Sequence, residues 1–165
     1  MPNQFDLVDM EILKLIQSNA SLSVADIAAR VGLSSSPCWR RIKRLEECGI
    51  VEKRVSLLNR EQLGLDFEVF ASVKLALPNR NNLKAFEEMV QNWSEVTECM
   101  TVTGAVDYVI HVVTSDMHAY DDFLRDKLLG SDLVSDVQSR IVIRVAKRST
   151  DLPLDILKPA PPSIV

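Results

Sequence analysis

A chain of 165 residues is long enough to bury one ordinary core, or two small ones, without covalent staples. Its 47% hydrophobic and 25% charged residues exclude a disordered or fibrous chain. No apolar run approaches the roughly 18 residues of a membrane span. The start lacks a basic stretch followed by an apolar one, so a cytoplasmic protein is expected. The net charge of −4 argues against nucleic acid only until the chain is divided: residues 1–60 hold 9 Lys and Arg against 7 Asp and Glu, a net of +2, and residues 61–165 carry −6.

Asp6 is placed to cap a first helix with Leu7, Met10, Ile12, Leu13, Leu15 and Ile16 on its apolar face, and Asp9 and Glu11 near its positive end. Ser23 caps a second helix carrying Ile27, Ala28 and Val31, and Gly32 follows where a left-handed residue is wanted. Ser34 or Ser35 starts a third, whose first turn tolerates Pro37. There Cys38, Ile42 and Leu45 recur at i, i+4 and i+7 and face inward. Arg40, Lys43 and Arg44 lie away from that stripe and Arg41 flanks it. Ile50, Val51, Val55 and Leu57 are expected to continue as a short strand, a wing or a connector.

Two helices around a tight glycine turn, the second basic on its outer face, form a helix-turn-helix, and a single helix fits the major groove of double-stranded DNA. Ser35, Ser36, Trp39 and Arg40 are expected nearest the bases, with Arg41, Lys43 and Arg44 on phosphates.

Beyond Gly64 the pattern changes. Val69 to Leu77 alternate as a strand, Leu83, Phe86, Met89, Val90 and Trp93 share a helix face, and two strands flank a turn at Thr103 to Ala105. Asp116 caps a helix with Met117, Tyr120, Phe123, Leu124 and Leu128 inward, and residues 135–147 alternate again, with Val137, Ile141, Ile143 and Val145 on one side. The order βαββαβ is that of a ferredoxin-like sheet with two helices on one face. The mixed second side of the last strand points to subunit contact, and half-site reading by one short helix calls for a homodimer.

The expected class is therefore α+β: a helix-turn-helix domain over 1–60, an α+β sensing and oligomerisation domain over 61–152, and an extended, mobile Pro-rich tail over 153–165. Cys38, Cys48 and Cys99 are odd in number and lack paired short spacing, so neither a metal nor a cofactor is expected. His111, on a strand, and His118, on a helix, belong to no nucleophile or ligand motif, which argues against an enzyme. An architectural protein coating DNA without an effector is the alternative.

The segments Asp9-Met10-Glu11-Ile12-Leu13, Val31-Gly32-Leu33-Ser34, Pro37 to Glu46, Gly49-Ile50-Val51, Val102 to Tyr108 and Thr150-Asp151-Leu152-Pro153-Leu154 together resemble the Lrp/AsnC (leucine-responsive, feast/famine) family of transcription regulators. The resemblance implies a cytoplasmic, nucleoid-associated dimer that can assemble to octamers, with an amino acid bound between dimers. It also implies that Thr103, Gly104, Ala105, Val106 and Asp107 line the effector pocket and that Arg144 of the last strand contacts the ligand. The chain departs from the family's pattern at Asp132-Leu133-Val134, where a Pro-Gly-Val turn is common, and at Val137, where threonine is.

Overall fold

The computed structural model describes residues 5–157. It divides into two compact units, one reaching to Leu57 and resumed from Lys147, the other spanning Leu58–Ala146. The first holds three helices, α1 (Leu7–Ser18), α2 (Val24–Arg30) and α3 (Ser35–Glu47). Their starts and stops are local. Asp6 and Asp9 cap each other's backbone amides at the head of α1, and Ser23 and Asp26 do the same for α2. Gly32 adopts φ +69° after α2, which lets the Leu33 amide reach back to the Ala28 carbonyl at 2.9 Å and sets the tight turn into α3. Ile12, Leu13, Ile16, Ile27, Ala28, Cys38, Ile42 and Leu45 interlock as the core.

The segment after α3 differs from the expected wing strand. Residues 50–58 bend at Ile50 and Val51 and form no regular element, pairing with no strand among the described residues. Residues 147–157 pack with the helices, whereas the sequence had suggested a sensing domain to 152 and a free tail beyond it. The Gln17 amide exchanges two hydrogen bonds of 3.1 Å with the Leu152 backbone, Lys14 pairs with Asp155 at 2.8 Å, and Leu154 packs against the helical core. Leu154–Ile156 is a short 3-10 turn. Pro159, Pro161 and Pro162 lie outside the described residues.

In the second unit β1 (Phe67–Leu75), α4 (Arg80–Val90), β2 (Val96–Thr101), β3 (Tyr108–Thr114), α5 (Met117–Phe123, continued by a π turn to Leu128) and β4 (Val134–Ile141) realise the βαββαβ order. The sheet is antiparallel with strand order β2-β3-β1-β4. Both helices cover the face carrying Val69, Ala71, Val73, Leu75, Tyr108, Ile110 and Val112, and Phe86, Trp93, Tyr120 and Phe123 fill the space between.

The other face carries Phe70 stacked on His111 at 4.6 Å, with Arg140 donating to Ser72 at 2.6 Å. Beside them Glu68, only 3% exposed, meets His111 Nε2 at 2.9 Å and forms an ion pair with Arg60 at 2.9 Å. His111 also contacts Thr97, the extra residue of a bulge in β2.

Three expectations need correction. The last strand ends at Ile141, not 147, because β1 begins at Phe67 and offers no further ladder partners after the Val142 amide has bonded to Glu68. Ile143 is consequently almost fully exposed and Val145 is exposed as well. Met117 points outward from the first turn of α5, and Leu77 lies beyond the covered part of β1. No helix among the described residues is long and apolar enough to cross a membrane.

Candidate nucleic-acid interface and ligand loop

The start of α3 differs from those of α1 and α2. Ser34 occupies its N-cap position without a side-chain hydrogen bond, and its first turn holds no acidic residue. The positive end of the helix and its first amides are thus left for an external anion. At about 100° per residue, Ser36, Arg40 and Lys43 lie opposite the buried Cys38, Ile42 and Leu45, with Glu47 at the far end of the same side. Ser35 and Trp39 flank them, and Trp39 is 52% exposed on a helix whose other large apolar side chains are buried.

The four-cation run splits in two. Arg41 Nη1 donates to Asp6 Oδ2 and Asp9 Oδ1, both at 2.8 Å, and Arg44 Nη2 donates to Asp9 Oδ2. Asp9 is 1% exposed, Arg41 29% and Arg44 50%. Burial pushes the Asp6 carboxyl up, but the Asp9 amide and the Arg41 guanidinium outweigh it and hold that carboxyl below its ordinary range. Burial likewise works against the Arg41 charge, and Asp9 and Asp6 more than restore it. Arg40 makes no ion pair among the described residues, and Lys43 faces Glu46 only loosely at 3.8 Å.

The second site expected from the sequence is the connection between β2 and β3. Thr103, Gly104 and Ala105 are exposed there, and Val106 and Asp107 half-buried. Gly104 has φ +127°, a conformation that side chains rarely adopt, and a Cβ on it would meet nothing within 4 Å. Asp107 pins the loop to the end of β1: its amide bonds to Val73 O at 3.0 Å and its Oδ2 accepts from the Leu75 amide at 2.8 Å. The Leu133 carbonyl, just before β4, accepts from Ala76 at 2.8 Å, so both loops share one end of the sheet.

Arg144 is not brought to that end within one chain. Val73 pairs with Tyr108, where the loop begins, whereas Val142 bonds at Glu68, five residues back along β1. At about 3.3 Å per residue this is roughly 17 Å, and Arg144 is exposed two residues further on. Among the described residues no cluster of His, Cys, Asp and Glu is arranged to hold a metal ion.

Residues 68–152 match the family model for the Lrp/AsnC ligand-binding domain, and residues 5–52 match that for a winged helix-turn-helix DNA-binding domain. The chain is a member of the Lrp/AsnC family. It is 34% identical over 150 residues to the transcriptional regulator AzlB of Bacillus subtilis, covering 91% of this chain and 96% of that protein. A transcriptional regulator from Neisseria meningitidis, solved as a complex with L-Met, superposes with a TM-score of 0.89 at 36% identity over 92% of this chain and 98% of that one. An AsnC family regulator from Agrobacterium tumefaciens superposes with a TM-score of 0.87 at 39% identity, over 91% and 97%.

This Lrp/AsnC chain is thus a DNA-binding transcription regulator with a ligand-binding domain. The residues that sequence reasoning passed over in it are Asp6 and Asp9 as partners of α3. A signal for them exists: Asp9 precedes Ile12, Leu13 and Ile16 by three, four and seven residues and so falls on the buried stripe of α1, where an unpaired carboxylate is not tolerated.

Proposed function

We propose that the protein is a sequence-specific operator-binding regulator whose DNA binding or assembly answers to a small ligand, an amino acid. The observation that carries the reading is the outer side of α3: an uncapped N-terminus, an exposed Trp39, and Arg40 and Lys43 held opposite the core. In a major groove that surface puts Ser35, Ser36, Trp39 and Arg40 toward base edges and Lys43 toward phosphate, with Arg44 half in solvent at the margin. Selection of duplexes from a randomised library by the full-length protein tests this. A consensus is expected, and equal retention of all sequences would instead fit an architectural DNA-coating protein.

Dimerisation through the uncovered sheet face is supported by the exposed edges of Phe70 and Met100 beside the Arg140–Ser72 pair, a surface mixed enough to be stable alone and apolar enough to pair. Two copies then present two helices to successive half-sites. A monomer in sedimentation equilibrium at micromolar concentration would reject this.

The L-Met complex of the Neisseria meningitidis regulator supports an amino acid as effector. The Gly104 loop supplies open backbone for its carboxylate, and Asp107 Oδ1 is an acceptor for its ammonium. Arg144, at the other end of the sheet, meets that loop only from another copy of the chain. Thermal-shift screening of the amino acids checks the reading, since a ligand at 100 times its Kd adds about 2.7 kcal/mol.

A further inference from the structure

The basic run of α3 reads as four equivalent cations, but the structure gives two of them to one carboxylate. Asp9 lies under α3 with its charge shielded from solvent and fully engaged: the Asp6 amide and Arg44 Nη2 bind Oδ2, and Arg41 Nη1 binds Oδ1. Arg41 reaches Asp6 Oδ2 with the same nitrogen. Arg41 and Arg44 are one turn apart, so the two guanidinium contacts act at two points along the axis of α3. Cys38, Ile42 and Leu45 set which side of α3 faces inward, and the guanidinium contacts add directional restraints at the margin of that stripe. Two charge-assisted hydrogen bonds on one anchored carboxylate are directional.

We infer that Asp9 is a positioning residue for operator reading, resting on the DNA-binding role proposed above: it sets the rotation of α3 through Arg41 and Arg44 and leaves Arg40 and Lys43 as that helix's cations for the DNA, Arg40 at base edges and Lys43 at phosphate. Rotation decides which side chains reach base edges. A turn of α3 about its axis toward Trp39 or toward Arg44 would exchange Ser36 and Arg40 for different neighbours at the floor of the groove. The buried carboxylate also subtracts charge from the interface, so it limits binding to DNA of arbitrary sequence while it enforces reading of the right one.

The opposite signs of these two effects make the test. Duplexes selected with the full-length wild-type protein, and shuffled duplexes of the same composition, are titrated with wild type, Asp9→Asn, Arg41→Lys, Arg41→Gln and Arg40→Gln across a range of salt. Asp9→Asn frees the Arg44 guanidinium and leaves Arg41 held by Asp6 alone: its affinity for shuffled DNA rises and its salt slope steepens by about 1, one phosphate contributing about 0.9. Its preference for the selected duplex falls about tenfold, the size of one lost base contact. Loss of stability alone lowers affinity for both duplexes and steepens neither slope.

Arg41→Lys keeps the charge but not the guanidinium fork, and it remains foldable if Asp9→Asn does not. It loses preference at an unchanged slope. Arg40→Gln flattens the slope by about 1 and Arg41→Gln does not. Wild-type preference in both Asp9→Asn and Arg41→Lys, or equal flattening by Arg40→Gln and Arg41→Gln, overturns the role of Asp9 alone. A wild-type selection that returns no consensus overturns the operator reading on which it rests.

Discussion

Each unit of the molecule buries one carboxylate, and the two are managed differently. Asp9 is enclosed by elements of its own unit, with the Asp6 amide and two arginines satisfying it at the junction of α1 and α3. Glu68 sits on a sheet face that α4 and α5 do not cover, and among its partners are His111, stacked on Phe70, and Arg60. The first lies beneath the side of α3 proposed above to meet DNA. The second lies on the sheet face proposed above for pairing with a second copy.

The two cores are expected to fail separately. Phe86 is fully buried in the second unit, so Phe86→Ala is expected to cost about 3–5 kcal/mol there. Trp93 lies in that core and Trp39 on the helical unit, so their fluorescence reports the two units independently during urea unfolding. The Trp93 transition should move and the Trp39 transition should not. Next come the carboxylates themselves. Asp9→Ala strands Arg41, Arg44 and the Asp6 amide, Glu68→Ala strands Arg60 and His111 among its partners, and each should cost about 3 kcal/mol in its own unit. Loss confined to the Trp39 transition is expected for Asp9→Ala, and to the Trp93 transition for Glu68→Ala.

What the sequence made legible follows the same division between local and distant causes. The ends of α1, α2 and α3 were legible because Asp6, Ser23 and Gly32 act on backbone within a few residues of themselves. The βαββαβ order was legible from hydrophobic period alone. Register was not: the alternation of residues 142–147 continues past the end of β1, and only the pairing of Val69 with Ile141 shows that β4 has run out of partners. Arg144 and the Gly104 loop, joined only by the family resemblance, lie toward opposite ends of the sheet within one chain. Leu154 was legible only as part of a family segment, because its packing depends on the C-terminal segment lying back against α1.

Smaller effects sharpen the picture. Gly104→Ala should cost about 1–3 kcal/mol through backbone strain, without a clash, and a Trp93 unfolding curve measures it. A loss much greater than that would mean that the loop is packed and not open. Acid should act on both units through different carboxylates. The Asp6 carboxyl is held below its ordinary value of about 3.9 in the folded state. Its contribution is therefore present above that value and fades as pH falls through the lower folded one. The Asp116 carboxyl is lowered likewise, by the Ala119 amide and Ser115. Asp6→Asn should flatten the acid limb of the Trp39 stability curve and Asp116→Asn that of the Trp93 curve.

Trp39 reports most directly on whether the outer side of α3 enters duplex DNA, as proposed above. In a Trp93→Phe protein the remaining indole is the exposed one. Acrylamide quenching of Trp39 should drop sharply when a selected duplex saturates the protein and return as salt releases it. Full saturation by duplex with quenching unchanged would place the DNA elsewhere and contradict the account.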